Sequence, residues 1–450
     1  MKHRPLVVVA GLAAALALIV SLSIASAATR STGASTSAAV MKAPPVPNAA
    51  AIKAKYGGQS ITFVGDSVGG GHVRDVALAT RFSKATGIKV KVVPHPAASD
   101  ASYSQLVRAF SSKSSSIDVA MIDVVWPGAF APYLVDLKAK LGAQAKLHAR
   151  GIIQNDTVDG KLVAMPWFGD FGILYYRTDL LKKYGYKAPP TTWTQLFSMA
   201  KKIQAGEQGS NPNFYGFVFQ GNAYEGLTCD ALEWLASSGA GSYIDNGKVT
   251  INTPKAAAVL DSFRNQIGKI TPRGVTSYQE GETHTAFVDG NAAFMRNWPY
   301  AYSIGADPKT SKIVGKFSVT TLPHGAGGHP VGTVGGWQLA VSKYSKHRDA
   351  AIEFVRYMTS AAVEKFDAIT NTNVPTIPSV AKDPAVVKVN PYLKPNIATV
   401  ARVTRPARYL KTHYNEGSKA IYQGISQILN GTPAKNVLPG VQSKLDRLLR

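Results

Sequence analysis

A chain of 450 residues with 45% apolar and 17% charged residues can build two lobes with full cores, which excludes a disordered tail and a small stapled scaffold. Fifty Lys and Arg against 27 Asp and Glu give a formal charge of +23, so nucleic acid, membrane surfaces and acidic ligands all enter as partner classes. The single cysteine, Cys229, excludes an internal disulfide, a CxxC redox pair and a multi-Cys zinc site.

Lys2 and Arg4 precede an apolar run from Leu6 to Ile24 that ends in Ala25-Ser26-Ala27-Ala28. Residues 1–28 therefore read either as a secretory signal cleaved after Ala27 or as a retained N-terminal anchor, the run being just long enough to span a bilayer. No cysteine lies nearby, so lipidation of an N-terminal Cys is excluded. Cleavage removes two bases and no acids, which leaves about +21 on the exported body. Residues 29–58, punctuated by Pro44-Pro45 and Pro47, read as a linker.

From Ser60 the pattern changes. Ile61-Thr62-Phe63-Val64, a glycine-led helix to about Ala85, and Lys89-Val90-Lys91-Val92-Val93 form a βαβ unit and predict a parallel sheet. A helix over Tyr103 to Phe110 and a buried strand at Asp118-Val119-Ala120-Met121-Ile122 follow. Strands are expected near residues 160–166, 172–176, 214–219, 292–295 and 317–319, with helices near 193–204, 230–237, 254–268 and 284–289. After Gly335-Gly336-Trp337 the chain is mainly helical, over 348–359, 416–430 and 436–449. Basic residues occur singly or in pairs, as on a solvated surface, and show no aromatic-basic repeat of the kind a nucleic-acid groove needs.

Several stretches place aromatics beside carboxylates and glycines at expected strand ends, where open α/β sheets bind ligands. They are Asp123-Val124-Val125-Trp126, Trp167-Phe168-Gly169-Asp170, Tyr224-Glu225-Gly226, Asn297-Trp298-Pro299-Tyr300 and Gly335-Gly336-Trp337. A flat ring covers the apolar face of a sugar, and carboxylates and guanidinium groups meet its hydroxyls. Taken one at a time, Trp126, Trp167 and Trp298 read equally as core residues.

With these words in this order, the chain from about Ile61 to its C-terminus resembles the trehalose/maltose-binding group of extracellular solute-binding proteins of ABC importers. Further matching words are Gly172-Ile173-Leu174-Tyr175-Tyr176-Arg177 and Arg296-Asn297-Trp298-Pro299-Tyr300-Ala301. The resemblance implies a two-lobed α/β periplasmic-binding-protein-like fold with a hinge and an interlobe ligand cleft. It implies hydroxyl acceptors at Asp123 and Asp170, stacking rings at Trp298 and Trp337, a pocket wall at Tyr300 and a backbone contact at Gly336. It further implies a pocket arginine at Arg405 and an acid at the cleft edge at Glu225. Gly69-Gly70-Gly71-His72 stands where relatives place an acidic or polar contact after the first strand, and Phe168 where Tyr is frequent.

The expected lobes are discontinuous: residues 59–167 and 316–378 in lobe 1, and 168–315 and 379–450 in lobe 2. The crossings are expected at Pro166 to Asp170 and Lys316 to Pro323. The implied function is capture of trehalose, maltose or a related α-glucoside by an extracytoplasmic monomer that delivers it to membrane permease subunits, with no cofactor, metal or nucleic acid. A glycoside hydrolase using Asp123 and Asp170 as its carboxylate pair is the alternative. No HExxH helix or GxxxxGK[ST] loop is present, and Gly325-Ala326-Gly327-Gly328 reads as a surface turn. The scarcity of surface carboxylates further predicts a stability that varies little with acidification.

Overall fold

The computed structural model describes residues 41–450. The signal or anchor expected over residues 1–28 lies outside them. Strand β1 (Ser60–Gly65), helix α1 (Gly71–Thr86) and strand β2 (Lys89–Pro94) form the first βαβ unit, the two strands being parallel with Ser60 opposite Lys89. Helix α2 (Ser99–Ser111) leads to β3 (Val119–Asp123), buried along its whole length and parallel to β1. Next come β4 (Met165–Phe171) and β5 (Ile173–Arg177), separated by Gly172 alone. Beyond them lie β6 (Tyr215–Val218), α3 (Glu225–Ser237), α4 (Glu280–Val288), β7 (Ala292–Asn297) and β8 (Phe317–Thr320). The chain ends with β9 (Val331–Val341), α5 (Arg348–Met358), α6 (Ala361–Thr370), β10 (Ala401–Val403), α7 (Tyr414–Leu429) and α8 (Ala434–Leu448).

These strands make two principal sheets, the first centred in lobe 1 and the second in lobe 2. The first runs β10-β9-β3-β1-β2, with β4 also paired to β9, and the second runs β8-β5-β7-β6. The chain crosses between lobes at Gly172, where a Cβ would overlap the Glu233 carboxylate and the Arg296 guanidinium. It crosses back along β9, whose Trp337–Val341 half pairs antiparallel with β3 while its Val331–Thr333 half pairs with β10.

Three expected boundaries are corrected. Phe317–Thr320 does not return to lobe 1: it pairs antiparallel with β5 and extends the second sheet, and the return is made by β9. A four-residue edge strand cannot span both lobes, whereas the 11 residues of β9 can. The later handover lies near Asn390 and not at 378/379. Ile377, Val380 and Val386 pack with Ala368 of α6, while Tyr392 and Ile397 pack with Phe171, Ile173 and Tyr175. Residues 44–56 are not linker but part of lobe 1: Ala49–Tyr56 is a helix, Val46 and Ile52 are buried, and the Tyr357 hydroxyl donates to the Pro44 carbonyl. The prolines that suggest a linker here set the chain's path onto the lobe.

Lobe 1 is built on Phe63 and Phe82, both edge-to-face with Phe354 at 5.4 and 5.2 Å. In lobe 2, Trp234 stacks on Phe263 at 4.1 Å. Apolar packing continues from Trp126 and Phe130 to Leu410 and Tyr414, so the lobes share one contiguous core beside the cleft.

Under β1 lies a buried ionic network. The Arg74 guanidinium donates to Asp75 at 2.9 Å, to Asp66 at 3.1 Å and to Asp367 at 3.3 Å, and stands 4.8 Å over the Trp167 ring. One cation among three desolvated carboxylates leaves negative charge in surplus. Burial, with Asp66 adding repulsion, accordingly pushes the Asp75 carboxyl up to about 7. Burial also raises Asp156, Asp230 and Asp367.

A carboxyl raised in the folded state binds its proton more tightly there than in the unfolded chain. Its stabilising contribution is therefore complete below about pH 3.9 and lost as pH rises through the folded value, about 7 for Asp75. Asp179, Glu207 and Asp383 are held low and act in the opposite sense, but they sit in exposed or half-exposed pairs with small energies. Thermal unfolding followed by circular dichroism is thus expected to show a melting temperature at pH 4.5 at least equal to that at pH 7; a fall of more than a few degrees on acidification contradicts the buried-carboxyl account. Separately, Gly172→Ala is expected to cost about 3 kcal/mol or more in urea unfolding, because the methyl must displace a buried ion pair; a wild-type midpoint would show that the crossing is not tightly packed.

Candidate interlobe ligand site

The loops at the carboxyl ends of β1 and β3, the crossing strands β4 and β9, and the N-termini of α3 and α4 converge on one cleft. Including its open mouth the void measures about 810 Å³. Asp123, Asp170, Glu225, Trp298, Tyr300, Gly336, Trp337 and Arg405, which the sequence places in separate words, all line it. Trp126 and Trp167 do not; both are buried in the core, Trp126 edge-to-face against Trp337 at 5.8 Å.

Arg405 lies just past β10, and its two terminal nitrogens serve both lobes. Nη2 donates to Asp123 Oδ1 at 2.7 Å, and Nη1 donates to Asp123 Oδ2 at 3.1 Å and to Glu225 Oε1 at 2.8 Å. Asp123 ends β3 in lobe 1, and Glu225 begins α3 in lobe 2. Glu225 also accepts from the Tyr414 hydroxyl and from Ser418 Oγ at 2.6 Å. Burial pushes the Glu225 carboxyl up, opposed by Arg405. Glu225 is thus a buried partner of Arg405 and not an acid at the cleft edge.

Trp298 is held on three sides. Its indole Nε1 donates to Glu280 Oε1 at 3.2 Å, the Arg296 guanidinium stands 3.8 Å from its ring centre, and the Tyr175 hydroxyl donates to its carbonyl at 2.8 Å. Arg296 is itself fixed by Glu233, at 2.6 and 2.9 Å, and by Asp230 at 3.0 Å. Trp337 is seated between Trp126 and His95, with which it stacks at 5.1 Å. Rings locked this way present fixed faces at little entropic cost on binding.

Between the two tryptophans the backbone must come close. A Cβ on Gly335 would lie 3.0 Å from Asp170 Cβ and 3.1 Å from Trp298 Cζ3, and one on Gly336, at φ +123°, would lie 2.7 Å from the Phe168 carbonyl oxygen. Gly336 therefore serves the approach of β4 and β9 as well as lining the cleft. Asp170 stands beside Trp298 with Oδ1 free of any hydrogen-bond partner, and burial followed by the charge of Asp66 raises its carboxyl well above the usual range. The Tyr224 hydroxyl and Arg405 Nε are likewise buried without partners. Unmet donors and acceptors lining a cleft are what a polar ligand satisfies.

Sequence reading missed Asp66, Ser99, Glu280, Asn371 and Asn373, which also line the cavity. Asp66 supplies the acid after the first strand that Gly69-Gly70-Gly71-His72 had suggested was missing; its position at the carboxyl end of β1 was the available signal. Glu280 and the two asparagines carry no local signal, since only the tertiary fold brings their helix ends to the cleft. Cys229 is buried against the same cavity. Among the described residues no group of His, Cys, Asp and Glu is arranged to hold a metal ion, and no helix is long and apolar enough to cross a membrane.

Residues 73–365 match the family model of the bacterial extracellular solute-binding protein. A probable ABC transporter-binding protein of Deinococcus radiodurans is 47% identical over 394 residues, which is 86% of this chain and 93% of the relative. The maltose-bound structure of T. maritima MalE3 superposes with a TM-score of 0.81 at 36% identity, covering 87% of this chain and all of the other. A ribitol-bound ABC transporter solute-binding protein of Agrobacterium radiobacter K84 superposes at 0.75 with 25% identity, covering 87% and 99%. The chain belongs to the bacterial extracellular solute-binding protein family, the extracytoplasmic solute-capturing components of ABC transporters, which bind their solutes without transforming them.

Proposed function

We propose that the cleft captures a short α-glucoside, trehalose, maltose or a related oligosaccharide, and that the loaded, monomeric protein delivers it to the permease subunits of an ABC importer. The observation that carries this reading is the pairing of two fixed indole faces, Trp298 and Trp337, with the carboxylates of Asp66, Asp123, Asp170 and Glu280 in one interlobe cleft. Rings cover the C–H faces of a pyranose, and carboxylates accept from its hydroxyls. The maltose-bound relative at 36% identity supports a glucoside. Hinge closure would act at Gly172 and along β9, two of the crossings between the lobes. Residues 1–28 would direct export, by cleavage or by anchoring the protein at the outer membrane face.

A thermal-shift panel of mono-, di- and oligosaccharides tests the reading. A sugar at 100 times its dissociation constant stabilises by about 2.7 kcal/mol, so maltose or trehalose is expected to raise the melting temperature by several degrees. A panel in which only polyols or monosaccharides act would redirect the assignment. Trp298→Ala is expected to weaken sugar binding at least about tenfold, equivalent to about 1.4 kcal/mol, with the far-ultraviolet spectrum unchanged; undiminished affinity places the sugar elsewhere. Arg405→Met leaves Asp123 and Glu225 facing one another without their cation and is expected to cost about 3–5 kcal/mol of stability. A wild-type urea midpoint for that variant would mean that the interlobe ion triad contributes nothing.

A further inference from the structure

The cleft is acidic on a basic protein. Asp66, Asp123, Asp170, Glu225 and Glu280 line it against the single cation Arg405, although the chain as a whole carries +23. The cations nearby are already committed. Both terminal nitrogens of Arg405 are held by Asp123 and Glu225. Arg74 is shared by Asp66, Asp75 and Asp367, and Arg296 by Asp230 and Glu233. What remains is concentrated around Trp298: Asp170 and Glu280 form no salt bridge among the described residues, Glu280 accepts from the Trp298 indole, and Asp170 keeps one oxygen without a partner.

A neutral sugar can hydrogen-bond these carboxyl groups but cannot supply the positive charge that would hold them ionised in a desolvated cleft, where burial otherwise favours the proton on Asp170. An ammonium group does both, with three donors, and the neighbouring rings of Trp298, Tyr300 and Tyr224 add cation–π attraction. We propose that the natural ligand is an aminated α-glucoside, whose ammonium is received beside Trp298 by Asp170 and Glu280. This inference rests on the α-glucoside reading and narrows its substrate class.

Calorimetric titration of the full-length protein at pH 7 and low salt, with trehalose, maltose and trehaloses bearing one amine at the 2-, 4- or 6-position, separates the two. At least one amino-trehalose is expected to bind tenfold or more tighter than trehalose, with the advantage shrinking in 0.5 M NaCl. Glu280→Gln and Asp170→Asn are each expected to reduce the amine-to-neutral affinity ratio severalfold; an unchanged far-ultraviolet spectrum and urea midpoint in the same variants show that the fold is intact. If trehalose or maltose binds and every amino analogue binds no tighter, or if both variants leave the ratio unchanged, the amine assignment is overturned and the α-glucoside reading stands. If no neutral or aminated glucoside binds, the α-glucoside reading itself is overturned.

Discussion

The structure turns on one buried guanidinium. Arg405 joins Asp123, at the end of a lobe 1 strand, to Glu225, at the start of a lobe 2 helix. Two carboxylates from different lobes brought together in a desolvated cleft would repel one another; the cation between them turns that repulsion into a tie. The same arrangement places the lobes' polar surfaces face to face and leaves Arg405 Nε, Asp170 and the Tyr224 hydroxyl unsatisfied around the void. An ion triad of this kind couples the lobes and at the same time defines a polar site whose remaining needs a solute must meet.

Around this tie, rigidity is distributed by two other arginines. Arg74 anchors the base of lobe 1 beneath Trp167 and Phe168, and Arg296 backs Trp298. Each is surrounded by more acids than it can neutralise. The result is a protein with a basic exterior and an acid-rich interior cleft, whose buried carboxyls gain protons as the medium acidifies. Acid tolerance was expected from a scarcity of surface carboxylates; the buried carboxyls supply a second and stronger physical reason.

Much of the site was legible because strand ends carry it. Asp123 follows an apolar run that can only be a buried strand, and the Trp298 and Trp337 words lie where β7 ends and β9 crosses. The lobe boundaries were less legible. An edge strand such as Phe317–Thr320 and a crossing strand such as β9 have similar residues, and what distinguishes them is length and pairing partner, which periodicity does not report. Residues 44–56 were misread for a related reason: small and proline-rich composition describes a linker and an extended segment docked on a lobe equally well, and only the burial of Val46 and Ile52 separates the two. Glu280, Asn371 and Asn373 reach the cleft by tertiary placement alone.

The most direct measurement is a crystal structure of the protein grown with maltose or trehalose. The account predicts disaccharide density between the two lobes, with one pyranose ring against Trp298 or Trp337 and hydroxyls on Asp66, Asp123 or Asp170. Sugar bound outside this cleft, or an empty cleft at a saturating sugar concentration, would contradict it.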